Sequence, residues 1–187
     1  MSILLDAGPT LNFVAVSEQG LLLGLADAHT LSLAAPEKVR EEVDRKAGQG
    51  RFARTGAQST WRRLVAAGRV DVLDDTLGDD VLVAAVARVA GQQATDRVRS
   101  SKDLGELMVI AHGSALAQQG TDVFVLMDDG DGRRRAQLEK EWLEKTGAPG
   151  ALTMWSTPQV LKQTAPDRWK GIYTRMRDFD DGLPPLT

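Results

Sequence analysis

The chain has 187 residues, with 26 acidic and 23 basic side chains and a formal net charge of −3 at pH 7. That length favours one domain with a single real core, and 42% hydrophobic against 26% charged residues excludes a wholly disordered chain. Cysteine is absent and histidine occurs only at His29 and His112, so disulfide scaffolds, thiolate chemistry and multi-histidine metal sites are excluded. The mild acidity excludes nucleic-acid binding by bulk charge, though not binding through a local basic rim.

Residues 3–5 form a short apolar run that predicts a buried strand, with a turn over residues 6–9. Helical patterning follows over residues 10–16 and, beyond Gly20, over residues 21–28. The alternation at residues 30–34 predicts a second strand. Pro36 and Glu37 suit a helix start, and Val39 and Val43 give that helix a buried stripe that fades near Gly48. Residues 48–60 read as a loop, 61–67 as helix, 70–73 as a brief strand, 81–90 as helix and 91–101 as a second, polar loop. A helix is expected over residues 104–119, stopped by Gly120, and the strongest strand over residues 122–127. A helix from Arg133 to about residue 145 and a last strand over residues 151–155 complete the main body. Residues 156–187 are expected to be a helical C-terminal appendage, loosely ordered from Phe179 onward.

This alternation predicts an α/β domain over residues 1–155 on a mainly parallel sheet covered on both faces. No apolar run approaches the ~20 residues of a membrane span, and the N-terminus lacks the basic start of a signal peptide, so a cytoplasmic location with no membrane partner is expected.

The chemistry gathers where strands end. The first strand runs into Asp6, and the strand at residues 122–127 runs into Asp128, Asp129 and Asp131. In open α/β sheets ligands collect beyond the carboxyl ends of the strands. Parallel, neighbouring strands would bring Asp6 and Asp128 together, and carboxylates so placed need a positive partner. Hard cations such as Mg2+ or Mn2+ suit an oxygen-only ligand set. The plainer reading of each aspartate is a turn former or helix cap, with Asp131 a candidate cap. Glu106 could equally be a carboxylate favoured by a helix N-terminus, and Glu42 a member of an exposed ion-pair ladder with Lys38 and Lys46. Glu41 rivals Glu42 for any active role.

Taken together, ILLDAGPTLNF, PEKVREEV, KDLGELMVIAHG and VFVLMDDGDGRRRA stand in an order and spacing that resembles the PIN-domain family, which includes the toxin nucleases of toxin–antitoxin pairs. The resemblance runs from residue 3 to about residue 155. It implies a three-layer α/β/α sandwich and metal-dependent cleavage of RNA. On this resemblance Asp6, Glu42, Glu106 and Asp128 are the catalytic acids, with Thr10 supporting Asp6. Asp6, Glu106 and Asp128 would hold Mg2+ or Mn2+, with Asp129 and Asp131 as further ligand candidates. The implied partners are an RNA substrate, a small antitoxin protein and a second copy of the chain. The arginine-rich stretch of residues 48–101 is longer than the family pattern, and the residues after 155 match nothing in it.

RNA contacts are expected from Arg62 and from Arg133 and Arg134, with Arg51, Arg54, Arg63, Arg97, Arg99, Lys102 and Arg135 as further members of a basic rim. Solvated surface explains the same arginines. The four tryptophans are read as packing residues rather than base-stacking ones, and neither histidine is given a catalytic role. Two other classes remain open: a binding module whose acidic pocket is silent, and a phosphate-handling enzyme. The latter is opposed by the lack of a Walker-type loop and of an aspartate-x-aspartate at the first strand.

Overall fold

A computed structural model describes residues 1–185. Its centre is a five-stranded sheet in the order β3-β2-β1-β4-β5, formed by β1 (Ser2–Leu5), β2 (Ser32–Pro36), β3 (Asp71–Leu73), β4 (Val123–Leu126) and β5 (Leu152–Trp155). Every pairing is parallel. Helices flank the sheet in a three-layer α/β/α sandwich, as the alternation of elements predicts. Among the described residues no helix is long and apolar enough to cross a membrane.

The order of strands decides where a site can form. The chain steps outward from β1 to β2 and β3, then returns to place β4 on the other side of β1. Connections leaving β1 and β4 therefore diverge, and a crevice opens at their carboxyl ends. The register pairs Leu5 with Leu126, so Asp6 and the aspartates after Met127 emerge at the same edge.

The helices that begin at Ala7, Glu37 and Leu104 border that crevice. Helix α1 (Ala7–Ala15) follows Asp6 directly, three residues earlier than the pattern suggests, because Pro9 sits in its first turn where a missing N–H does no harm. Helix α2 (Gln19–His29) leads back to β2. Helix α3 (Glu37–Ala47) buries Val39, Val43 and Ala47, one residue per turn, and turns its charged face outward. Helix α7 (Leu104–Gln118) is buried nearly all round and packs on β1, β2, β4 and β5, as its almost unbroken apolar sequence requires.

The two stretches read as loops hold short structure. Residues 48–60 contain a 3-10 turn (Gly50–Arg54) and the start of α4 (Ala57–Ala66). Helix α5 (Asp80–Ala90) is followed by α6 (Ala94–Arg97), inside the second such stretch. Helix α8 (Gly130–Thr146) begins before Arg133, because Asp129 caps it through the N–H groups of Asp131 and Gly132, both at 2.9 Å.

The C-terminal stretch forms α9 (Thr157–Thr164) and α10 (Trp169–Arg177). Ser156 and Gln159 close a capping box at the start of α9. Leu161, Ile172, Tyr173 and Met176 join the main core. The expectation of a loose end is corrected for residues 179–185. Leu183 is buried, the Tyr173 hydroxyl donates to the Pro184 carbonyl at 2.9 Å, and Asn12 Nδ2 donates to Asp180 Oδ2 at 2.8 Å. Phe179 stacks on Phe52, and Arg51 pairs with Asp181. Residues 186 and 187, part of the same expectation, lie outside the described residues.

Candidate functional site

A cleft of about 750 Å³ occupies the crevice. Its floor is Asp6, Ala7 and Gly8 from the end of β1 and Gly105 and Glu106 from the start of α7. One wall is α3, which contributes Lys38, Glu41, Glu42, Arg45 and Lys46. The other is the segment of residues 98–104, with Arg99, Ser101 and Asp103. Asp129 completes the lining. Four stretches far apart in sequence thus bring Asp6, Glu42, Glu106 and Asp129 to one place.

The acids crowd one another. Burial pushes the Asp6 carboxyl up to about 6; the Ala7 N–H opposes the rise, and Glu42 and Asp128 add repulsion. Asp6 stands at the N-cap position of α1 but makes no capping bond, so capping does not explain it. Glu106 is pushed up to about 7, first by burial and then by Asp129, with Arg135 opposing and Asp6 and Asp103 adding to the rise. Two internal cations partly compensate: Lys46 Nζ lies 2.6 Å from Glu42 Oε1, and Arg135 Nη1 lies 3.2 Å from Glu106 Oε1.

Two glycines, overlooked in the sequence reading as site residues, make room for these carboxylates. A Cβ on Gly105 would lie 2.9 Å from Glu42 Oε2, and one on Gly132 would lie 2.7 Å from Glu106 Cδ and 2.5 Å from Met127 Sδ. Any larger residue would displace a side chain of the cleft. Their meaning comes from which helices touch, a fact that single-sequence patterning does not contain.

Of the three acids near residue 130, Asp129 lines the cleft and Asp128 and Asp131 do not. Asp128 turns to the start of α9, where both its oxygens accept from Thr157, from the N–H at 2.8 Å and the hydroxyl at 2.5 Å. Burial raises its carboxyl even so. Asp131 is exposed and pairs with Arg134 at 3.2 Å; the cap is Asp129 instead. The Thr10 hydroxyl bonds the Asp6 backbone carbonyl at 2.6 Å, not the carboxylate.

Of the arginines expected to meet RNA, Arg99 lines the cleft, whereas Arg62, Arg133 and Arg134 do not. Arg62 forks onto Asp44 at 2.5 and 2.9 Å. Arg133 donates to the carbonyls of Met127 and Trp155, tying down the ends of β4 and β5. Beside Arg99, the cleft takes its cations from Lys38, Arg45 and Lys46. Arg45 and Lys46 were legible in principle, since they lie one helical turn from Glu42. As expected, the tryptophans pack: Trp61 is buried in the core, Trp142 lies under Arg88 and Trp155 stacks on Phe124.

Oxygen-only donors in a half-closed cleft suit a hard divalent cation. The crowding that raises Asp6 and Glu106 is what such a cation would relieve. In the present arrangement Lys46 and Arg135 serve that end, and among the described residues no three His, Asp or Glu side chains are gathered closely enough to hold an ion together. Compared with family models, with curated proteins and with solved structures, the chain finds no match.

Proposed function

We propose that this chain is a metal-dependent endoribonuclease that hydrolyses RNA phosphodiester bonds in the acidic cleft, and that it serves as the toxin-like member of a pair with a small antitoxin protein. The observation that carries the enzymatic reading is the convergence of Asp6, Glu42, Glu106 and Asp129 at the switch point of the sheet. Caps and turns account for single aspartates, but they do not account for four acids gathered from four distant stretches into one cleft with raised carboxyl pKa values at its floor. The pairing with an antitoxin rests on the sequence resemblance.

Asp6, Glu42, Glu106 and Asp129 line the cleft and would hold Mg2+ or Mn2+ once their side chains draw together around the ion. When bound, such an ion supplies a more acidic water and compensates charge on the attacked phosphate. The chain's own residues set the stage. Lys46 and Arg135 orient Glu42 and Glu106. Gly105 and Gly132 leave space for those carboxylates. Without the ion, Glu106, at about 7, can hold a proton near neutral pH, which it would release on binding a cation.

A second reading, a binding module with a silent pocket, is favoured by those same two ion pairs, which neutralise the acids from within. Incubation of the purified chain with an RNA oligonucleotide separates the two. The nuclease cuts only with Mg2+ or Mn2+ and loses this in Asp6→Asn; the silent module cuts under neither condition. Growth arrest on expression, relieved by co-expression of the neighbouring small gene, tests the toxin role.

A further inference from the structure

We propose that Arg45 and Arg99, which line the same cleft from α3 and from the segment before α7, are the phosphate-binding residues that position the substrate strand. The inference rests on the nuclease reading for the identity of the strand, but its residues follow from which cations are free. Residues 38, 41, 42, 45 and 46 recur at helical spacing, so α3 shows the cleft a single face that alternates base, acid and base. Two of the four cations lining the cleft are already committed, Lys38 to Glu41 at 3.0 Å and Lys46 to Glu42 at 2.6 Å. Arg45 has only a long hydrogen bond to Gln49, at 3.4 Å, and no ion pair among the described residues. Arg99 is 79% exposed and reaches only Asp96, also at 3.4 Å. Both guanidiniums can therefore turn a planar fork toward a phosphate.

The lining also limits how the strand is held. Among the described residues no aromatic side chain lines the cleft, so base stacking is unavailable there and the grip falls on the backbone. The volume is that of a small-ligand pocket, room for a few nucleotides of one strand and not for a duplex. Six carboxylates face four cations, so a polyanion enters only after added cations have offset the excess.

The test is fluorescence anisotropy of a short, nuclease-resistant 2′-O-methyl RNA strand with the full chain in Mg2+, across a salt series. Arg45→Ala and Arg99→Ala should each reduce the slope of log K against log salt by about 0.7, and the double variant by about 1.4, the single-strand value per lost phosphate contact. Arg45→Lys should keep the slope, and Arg69→Ala, paired with Asp27 outside the cleft, should leave it unchanged. With a cleavable strand the two alanine variants should raise KM and spare kcat. Unchanged slopes, or a duplex bound as tightly as the single strand, would overturn the proposal. Unchanged slopes beside intact metal-dependent cleavage reject the arginine pair alone. Altered slopes without cleavage reject the nuclease reading and keep the pair.

Discussion

Glu106 and Glu139 are the same residue type on adjoining helices, and the molecule treats them in opposite ways. Glu139 of α8 is 3% exposed and fully answered: Arg88 forks onto it, Ser114 donates to it, and the same guanidinium lies over Trp142. Glu106 of α7 is 16% exposed, has one cation at 3.2 Å, and faces Asp129, Asp6 and Asp103. A satisfied buried acid is a joint between helices. A partly satisfied one among other acids keeps capacity for something from outside. Burial of a carboxylate thus says little by itself; the balance of its partners distinguishes a joint from a site.

The largest effect should come from breaking the joint. Glu139→Ala leaves Arg88 and Ser114 facing an empty position, and should cost about 3–5 kcal/mol of stability, read by urea unfolding. A wild-type midpoint would erase the contrast. Gly132→Ala comes next. Its Cβ collides with Met127 Sδ and the Glu106 carboxylate, so a loss of about 1–3 kcal/mol is expected, together with loss of cleavage as Glu106 moves.

The floor acids should behave with opposite sign. Asp6 is raised from 3.8 to about 6 and Glu106 from 4.5 to about 7. A raised carboxyl means that the fold prefers the protonated form. Its stabilising contribution is full below the ordinary carboxyl pKa and is lost as pH rises through about 6 and about 7. Without metal, Asp6→Asn and Glu106→Gln should therefore melt higher than wild type at pH 8 and converge with it near pH 4, while cleavage is abolished. Melting curves across that range check the sign. The smallest effect belongs to Arg134→Ala. This exposed pair with Asp131 should change stability by no more than about 0.5 kcal/mol.

The frame of the acidic cleft, though not the contrast with Glu139, could be read from the chain before folding. Runs such as residues 3–5 and 123–127 announce buried strands, and the acids directly after them announce the carboxyl edge. Strand order was not legible, and it alone makes that edge a switch point. The choice among Asp128, Asp129 and Asp131 depends on Thr157, some thirty residues away, which draws Asp128 to α9 and leaves Asp129 at the cleft. Likewise Arg133, a rim candidate by position, is taken by the carbonyls of Met127 and Trp155. The prolines and aspartates at the end of the chain lack periodicity, yet Asn12, Arg51 and Tyr173 bind it from outside. Periodicity reports a residue's own element; partners supplied by other elements leave no local trace.

Calorimetric titration of Mn2+ into the full chain at pH 8 addresses the acidic cleft most directly. Saturable binding in the wild type, lost in Asp6→Asn and Glu106→Gln and kept in Asp131→Asn, is the expected result. No binding in the wild type, or undiminished binding in Asp6→Asn and Glu106→Gln, would contradict a cation site built from these acids.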